Sequence, residues 1–406
     1  MTINASHLTT YLMKKNYVFL FFLIALLITF TACPFPSSNN STNFIIGSKG
    51  NDQGIERGLY SWSPGENPKF ITELTPYNLS QMLIDQNNGM VAYRIDPYLT
   101  PEGTSGIAYM PSDDLNDISY APIPQAEENF YYSIPNEGPK VLPDGRIVYR
   151  VTLETDNIFD DYAVGMLAIY DPDNGDLELS GDPSGFVLSQ PEQGSDTEGG
   201  SMGGPFVLSP DGKYAYCKLY GAGTDGGVYH EDYKFLVSYT IGDPGSYERL
   251  AQINARPTAV TGDGNYLLAN AYDGLMKVDI DEKEVVKADD YTYDFECGQI
   301  AKNSNRMFKL WRGSGLGEYT IGSSIDWLHI INGNEITNSS YTGLRHCGQY
   351  SKDEDKIYFS GSTDYYTNYD SDLIIFETPR VELNATPDSI GYLPAEYCTD
   401  MFLLLN

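Results

Sequence analysis

The chain has 406 residues, 25 of them basic and 56 acidic, for a formal net charge of −31. A body this acidic repels nucleic-acid phosphates and anionic head groups, which argues against both as partners. With 41% hydrophobic and 13% aromatic residues the chain can bury a large core, so the charge does not signal disorder, and the length suits two or three domains or one closed repeat architecture.

In chain order, the first element is a secretory signal. Lys14 and Lys15 form a cationic start, Val18 to Phe30 is an uncharged apolar run, and Thr31-Ala32 are small residues ahead of Cys33. Thirteen apolar residues are short for a membrane span. The layout resembles a bacterial lipoprotein signal, with Phe30 where Leu is usual. That resemblance implies cleavage before Cys33 and lipidation of Cys33, with Met13 as the start and residues 1–12 as an upstream extension. "PFPSSNNSTN" follows, and residues 34–42 are expected to be a flexible tether.

Beyond the tether one pattern recurs through residues 43–406: apolar strand, tight polar turn, Tyr-rich strand, loop, strand, turn, strand. The first turn marks each unit: "DQNNGMVAY" near Gly89, "LPDGRIVYR" at Gly145, "SPDGKYAYC" at Gly212, "TGDGNYLLA" at Gly264, "KNSNRMFKL" at Asn305 and "KDEDKIYFS" at Asp355. Asn-Gly and Asp-Gly suit two-residue hairpin turns in which both central residues take positive φ. Apolar residues alternate after each turn with the period of a strand. A second hairpin is expected in "LAIYDPDNGDLEL", "LMKVDIDEKEVVK" and "WLHIINGNEIT". Almost no segment after the signal holds a 3.6-residue period, so the body is expected to be all-β.

Four-strand units of this length have the look of β-propeller blades. "LSPDGKYAY" and "VLPDGRIVY" resemble the repeats of bacterial periplasmic propellers of the TolB-like and WD-like kind, although Trp-Asp strand ends are absent. The resemblance implies a propeller and leaves function open. Six turn markers give six units. "NFIIGSK", "GLYSWSP" and "KFITEL" supply three further strands, and "EYCTDMFLLLN" supplies a last one. Together they make seven blades, closed by pairing of the two ends, the favoured count over six or eight.

Cys297, Cys347 and Cys398 recur at near-equal spacing, the first two in "ECGQI" and "HCGQY". They are expected to line the channel from equivalent inner strands, as packing residues, as a disulfide in an oxidising compartment, or, with His346 or Glu296, as a metal site. Cys217 reads as a small buried residue. "GGSMG" at 199–203 and "GAGTDG" at 221–226 match a nucleophile elbow and a dinucleotide loop by letters only, because strands follow where those motifs need helices. "DPDNGD" at 171–176 reads as a hairpin turn. No cofactor, metal or catalytic set is expected.

The loops between second and third strands mix aromatics, acids and glycine, and in a propeller they share one face. The expected binding face comprises Tyr98, Asp160, Asp161, Tyr220, Tyr229, His230, Trp311, Tyr365, Tyr366 and Asp370. Tyrosines give contact area at low entropy cost, and acids accept hydrogen bonds from sugar hydroxyls or pair with a basic partner. The leading expectation is a lipid-anchored binding protein or scaffold of the bacterial cell envelope, at the outer membrane's periplasmic side or on the surface. It would recognise a protein or glycan and touch the membrane only through its lipid. The alternative is a carbohydrate-active lyase or hydrolase using two carboxylates across the channel mouth.

Overall fold

The computed structural model describes residues 43–49, 55–73, 84–95, 106–135, 137–155, 163–180, 200–225, 228–243, 246–289, 298–301, 303–311, 315–321, 325–332, 343–362, 373–379, 388–393 and 401–404. The chain divides into Met1–Ser41 and Thr42–Asn406, and every described residue lies in the second unit. The signal, Cys33 and the tether therefore lie outside the described residues.

Those residues contain strands and no helix. The first sheet joins β1 (Asn43–Lys49), β2 (Arg57–Trp62) and β3 (Lys69–Thr72). The second has β4 (Ile84–Asn87), β5 (Met90–Arg94), β6 (Ile107–Pro111) and β7 (Ser119–Ala121). The third has β8 (Phe130–Ser133), β9 (Lys140–Val141), β10 (Ile147–Thr155), β11 (Ala163–Tyr170) and β12 (Leu177–Leu179). The fourth has β13 (Gly200–Leu208), β14 (Tyr214–Asp225), β15 (Val228–Thr240) and β16 (Tyr247–Ala251). The fifth has β17 (Ala255–Val260), β18 (Tyr266–Ala271), β19 (Gly274–Asp279) and β20 (Val285–Asp289). The sixth has β21 (Gly298–Ile300), β22 (Arg306–Trp311), β23 (Gly315–Ile321) and β24 (Ile325–Asn332). The seventh has β25 (Gly343–Tyr350), β26 (Lys356–Ser362), β27 (Leu373–Pro379) and β28 (Asp388–Leu393). The last strand, β29 (Met401–Leu404), returns to the first sheet and pairs antiparallel with β1, Asn43 opposite Leu404 and Ile46 opposite Met401.

Period-two alternation sends successive side chains of a strand to opposite faces. Here both faces meet a neighbouring sheet. Ile45 packs with Val91 and Tyr93 of the second sheet, while Phe44 and Ile46 pack with Tyr358 and Leu393 of the seventh. Ala92 turns instead to Ile147 and Tyr149 in the third. Val148 joins Ala215 and Cys217 of the fourth, Tyr216 joins Leu267 and Ala269 of the fifth, and Leu268 joins Met307 of the sixth. Phe308 of the sixth meets Tyr350 of the seventh edge-on, ring centres 4.9 Å apart. Each sheet is thus sandwiched between two others, which is why the second strands read as apolar runs such as IVY and YLLA. The arrangement is propeller-like, with the core spread over the sheet-to-sheet contacts. At the third, Gly165 lies so close to the fourth sheet that an added Cβ would sit 2.0 Å from the Met202 carbonyl oxygen.

The six turn markers all join the first strand of a sheet to its second. The expected two-residue turn with paired positive φ holds only at Asn88 and Gly89, with φ of 46° and 72°. Elsewhere a wider turn forms. Ser209 N–H donates to Tyr214 O, Gly212 N–H donates to Ser209 O, and only Gly212 has positive φ. The Ser209 hydroxyl donates to Asp211 Oδ1 at 2.7 Å and accepts from Tyr214 N–H at 2.9 Å. Thr261 and Asp263 repeat this pair in the fifth sheet, and Ser351 and Asp353 repeat it in the seventh. Partial burial opposes ionisation of Asp211, but its bonds from Ser209 and Lys213 outweigh that and bring its pKa down to about 2. The turns also touch in series: a Cβ on Gly212 would stand 2.5 Å from Pro143 Cδ of the preceding turn, and Asn305 bonds Asp263. Glycine at 212 therefore answers both the positive φ and a close approach.

Two further expectations are corrected. "WLHIIN" is not a third strand followed by a hairpin. It is β24, the fourth strand, because β23 already occupies the third place. The segment Gly221–Asp225 is not a loop: β14 and β15 continue as one ribbon until Asp225 faces Val228. Gly221 and Gly223 punctuate the sequence without ending the ladder.

Candidate functional site

In an antiparallel meander, the turns between second and third strands lie at the same edge as the connections from one sheet to the next. This connector edge is opposite the edge of the marker turns. Three second strands carry a cation at matching distance from their marker turn: Arg94 in β5, Arg150 in β10 and Lys218 in β14. Each reaches a connector that feeds an inner strand. Arg94 donates to Pro135 O at 2.7 Å and Ile134 O at 3.1 Å. Arg150 pairs with Glu137 at 2.6 Å, and Lys218 donates to Asn254 Oδ1 at 2.6 Å.

The third sheet shows why this edge is irregular. Its inner strand is split into β8 and β9 around Ile134–Pro139, where Pro135 and Pro139 have no N–H to give a ladder. The split carries Glu137 to Arg150, with 17% and 15% of the two side chains exposed. Burial raises the Glu137 carboxyl above its usual range, opposed by the charge and hydrogen bond of Arg150 and by the charge of Arg256. Glu137 Oε2 and Arg150 Nε are buried without a hydrogen-bond partner. Inner strands of other sheets bulge as well. β13 shifts register between Gly203 and Val207, β17 between Pro257 and Ala259, and β25 between Leu344 and Gly348.

Between the fourth and fifth sheets this edge opens into a cleft of about 410 Å³ lined by Lys218, Lys234, Asn254, Arg256, Asn270, Ala271 and Tyr272. Lys218 is 5% exposed, while Tyr272 stands 97% exposed on the β18–β19 turn at the rim. Three cations and two amides meet here in a chain of net charge −31. No carboxylate is among the described lining residues.

A second polar cluster sits at the opposite edge, between the sixth and seventh sheets. Glu318 of β23 is 3% exposed and accepts from Tyr350 Oη at 2.8 Å. Glu354, in the marker turn of the seventh sheet with φ of 59°, accepts from Asn303 N–H at 2.6 Å and Ser304 Oγ at 2.7 Å, with Arg306 at 3.9 Å. Burial raises the Glu318 pKa to about 7; Tyr350 and Arg306 oppose that shift and Glu354 adds to it. Every polar group named here is answered by a protein partner, so the cluster reads as an inter-sheet joint.

Of the expected binding face, Tyr98, Asp160, Asp161, Tyr365, Tyr366 and Asp370 lie outside the described residues. Tyr220 is in β14, Tyr229 and His230 are in β15 and Trp311 ends β22, so these four belong to strands at the connector edge and not to loops. Cys217 is fully buried and free, in the second strand of the fourth sheet. Cys297 and Cys398 lie outside the described residues. The two Cys-Gly-Gln stretches do share a register: Gly298 faces Lys309 in one inner pair and Gly348 faces Phe359 in the other. Cys347 falls in the bulge of β25. The turn reading of 171–176 holds, with Asp173 N–H and Asp176 N–H bonded to Asp171 and Asn174 side chains. Among the described residues no group of three or more metal-ligating side chains forms.

No protein-family model matches the chain, and no curated protein matches it. Among solved structures it is similar to the periplasmic gluconolactonase of Pseudomonas aeruginosa, at 13% identity over 89% of this chain and 98% of that one, with a TM-score of 0.46. A β-propeller domain from Myceliophteria thermophila matches at 11% identity over 77% and 86%, TM-score 0.43. A putative TolB from Agrobacterium tumefaciens matches at 12% over 87% and 89%, TM-score 0.33. With scores below 0.5, none of these likenesses transfers a role to any residue of this chain.

Proposed function

We propose that the protein is an exported, lipid-anchored binding protein of the bacterial cell envelope. Its seven sheets act as the blades of a closed propeller, held to the membrane through Cys33 and the tether, and its ligand, a protein or a glycan, docks on the connector edge. The observation that carries the reading is the cleft between the fourth and fifth sheets, where Lys218, Lys234 and Arg256 gather against an overall charge of −31. Concentrating cations in one recess of an acidic body costs mutual repulsion, and recesses with a few convergent polar groups on a rigid scaffold are where ligands bind. Tyr220, Tyr229, His230 and Trp311 belong to strands running to the same edge.

The test is retention. Full-length protein, purified in mild detergent and immobilised, is expected to retain material from a bacterial envelope extract, and Arg256→Glu is expected to reduce it. Retention of nothing, or turnover of a polysaccharide panel, would replace this reading with the enzymatic one. Labelling with a radioactive fatty acid, lost on Cys33→Ser, checks the anchor.

A further inference from the structure

We infer that the cleft between the fourth and fifth sheets is a subsite for an acidic sugar, a uronate residue of a carboxylated glycan. The inference rests on the binding reading above and names its ligand chemistry. Four features point the same way. The lining is polar almost throughout, with Ala271 the one small apolar side chain, so an apolar or lipid ligand would desolvate the amides and cations of the wall without offering them a hydrogen bond. Arg256 is exposed on β17 at the cleft, and a guanidinium offers a planar fork that fits a carboxylate in two bonds. Asn254 and Asn270 each carry both donor and acceptor groups, the complement of ring hydroxyls, which also do both. Tyr272 supplies an exposed flat ring at the rim, where the C–H face of a sugar can lie.

Size and charge narrow the class. A volume of about 410 Å³ is at the small end for ligand recesses and suits one or two sugar rings. The field of a −31 chain opposes a dense polyanion such as a nucleic acid or a phosphate polymer at long range. A uronate chain carries one charge per ring, low enough to approach and still be drawn into a local positive recess. An acidic peptide would satisfy the cations, but tight peptide sites centre on an apolar or aromatic anchor pocket, and this wall has none among its described lining residues.

The test is calorimetry on the full-length protein in detergent with three probes: a trigalacturonate, neutral maltotriose and a tri-aspartate peptide. Trigalacturonate is expected to bind, with affinity falling as salt rises, and the other two are expected to bind at least about tenfold more weakly. Tyr272→Ala alters an exposed side chain and should leave the melting temperature unchanged, Arg256→Glu should lower it because Arg256 also faces the Glu137 carboxylate, and each should weaken trigalacturonate binding about tenfold or more. No binding of the uronate, equal binding of the peptide, or full binding by Arg256→Glu would overturn the inference. The envelope-retention experiment separates the two levels. Retention that survives both substitutions sinks the uronate subsite and leaves standing only a binding reading placed elsewhere on the connector edge; loss of all retention by the unaltered protein sinks both.

Discussion

The connector edge between the second and fifth sheets and the turn edge between the sixth and seventh solve the same problem with opposite charges. At the first, cations from second strands reach across to the connectors: Arg94 to two carbonyls, Arg150 to Glu137, Lys218 to Asn254. At the second, carboxylates do the tying, Glu354 to Asn303 and Ser304 and Glu318 to Tyr350. Glu354 fills its place with its own partners, while the cation row continues into an open cleft. Matching positions of successive second strands therefore give a closed joint at Arg150 and the wall of a recess at Lys218.

This contrast can be broken from either side. The largest effect is expected at the Arg150–Glu137 pair. Arg150→Ala strands a largely buried carboxylate and should cost about 3 kcal/mol in urea unfolding, with much of it returned by adding Glu137→Gln. Lys218→Met, whose partner Asn254 is an exposed amide, should cost clearly less. If the two single changes cost the same, the cation row acts by packing alone. On the acid side, Tyr350→Phe removes the donor to buried Glu318 and should cost about 1–2 kcal/mol by thermal unfolding.

The next effect is one of pH. The Glu318 carboxyl is raised from 4.5 to about 7, so the folded state holds that proton over a range in which the unfolded chain has already lost it. Its contribution is full below about pH 4.5 and is lost as pH rises to about 7. Glu318→Gln should flatten the decline in melting temperature across that window, and an unchanged slope would show that the group ionises freely in the fold. The smallest effects belong to the repeated turns. Ser209→Ala and Ser351→Ala should each cost about 1 kcal/mol, and because they lie in separate sheets their costs should add.

Much of the fold was legible because its causes are local. Gly89, Gly145, Gly212 and Gly264 announce their turns through positive φ, and Tyr214 to Cys217 alternate with the strand period. What was not legible depends on partners. Gly221 to Asp225 reads as a loop by composition, yet a neighbouring strand holds it extended. The Ser–Asp and Thr–Asp pairs of the turns were in plain sight, but their role appears only once hydrogen bonds are drawn. The cleft could not be read at all, since its lining is scattered from Lys218 to Tyr272 and meets only when two sheets pack. A signal was present in part: Arg94, Arg150 and Lys218 follow their turn glycines at five or six residues, a period the eye misses among apolar neighbours.

The pairing of β29 with β1 also governs how the nascent chain matures. Sheets two to seven each draw their strands from one stretch of sequence and can form in order as the chain emerges. The first cannot, because Asn43 meets Leu404 only after everything between has been made. Until then β1 presents an uncovered row of amides and carbonyls, a strip that any extended segment of another molecule can occupy. The four residues from Met401 to Leu404 are in this sense a guard against strand exchange. Their removal should cost the protein its monodispersity before it costs any of its local structure.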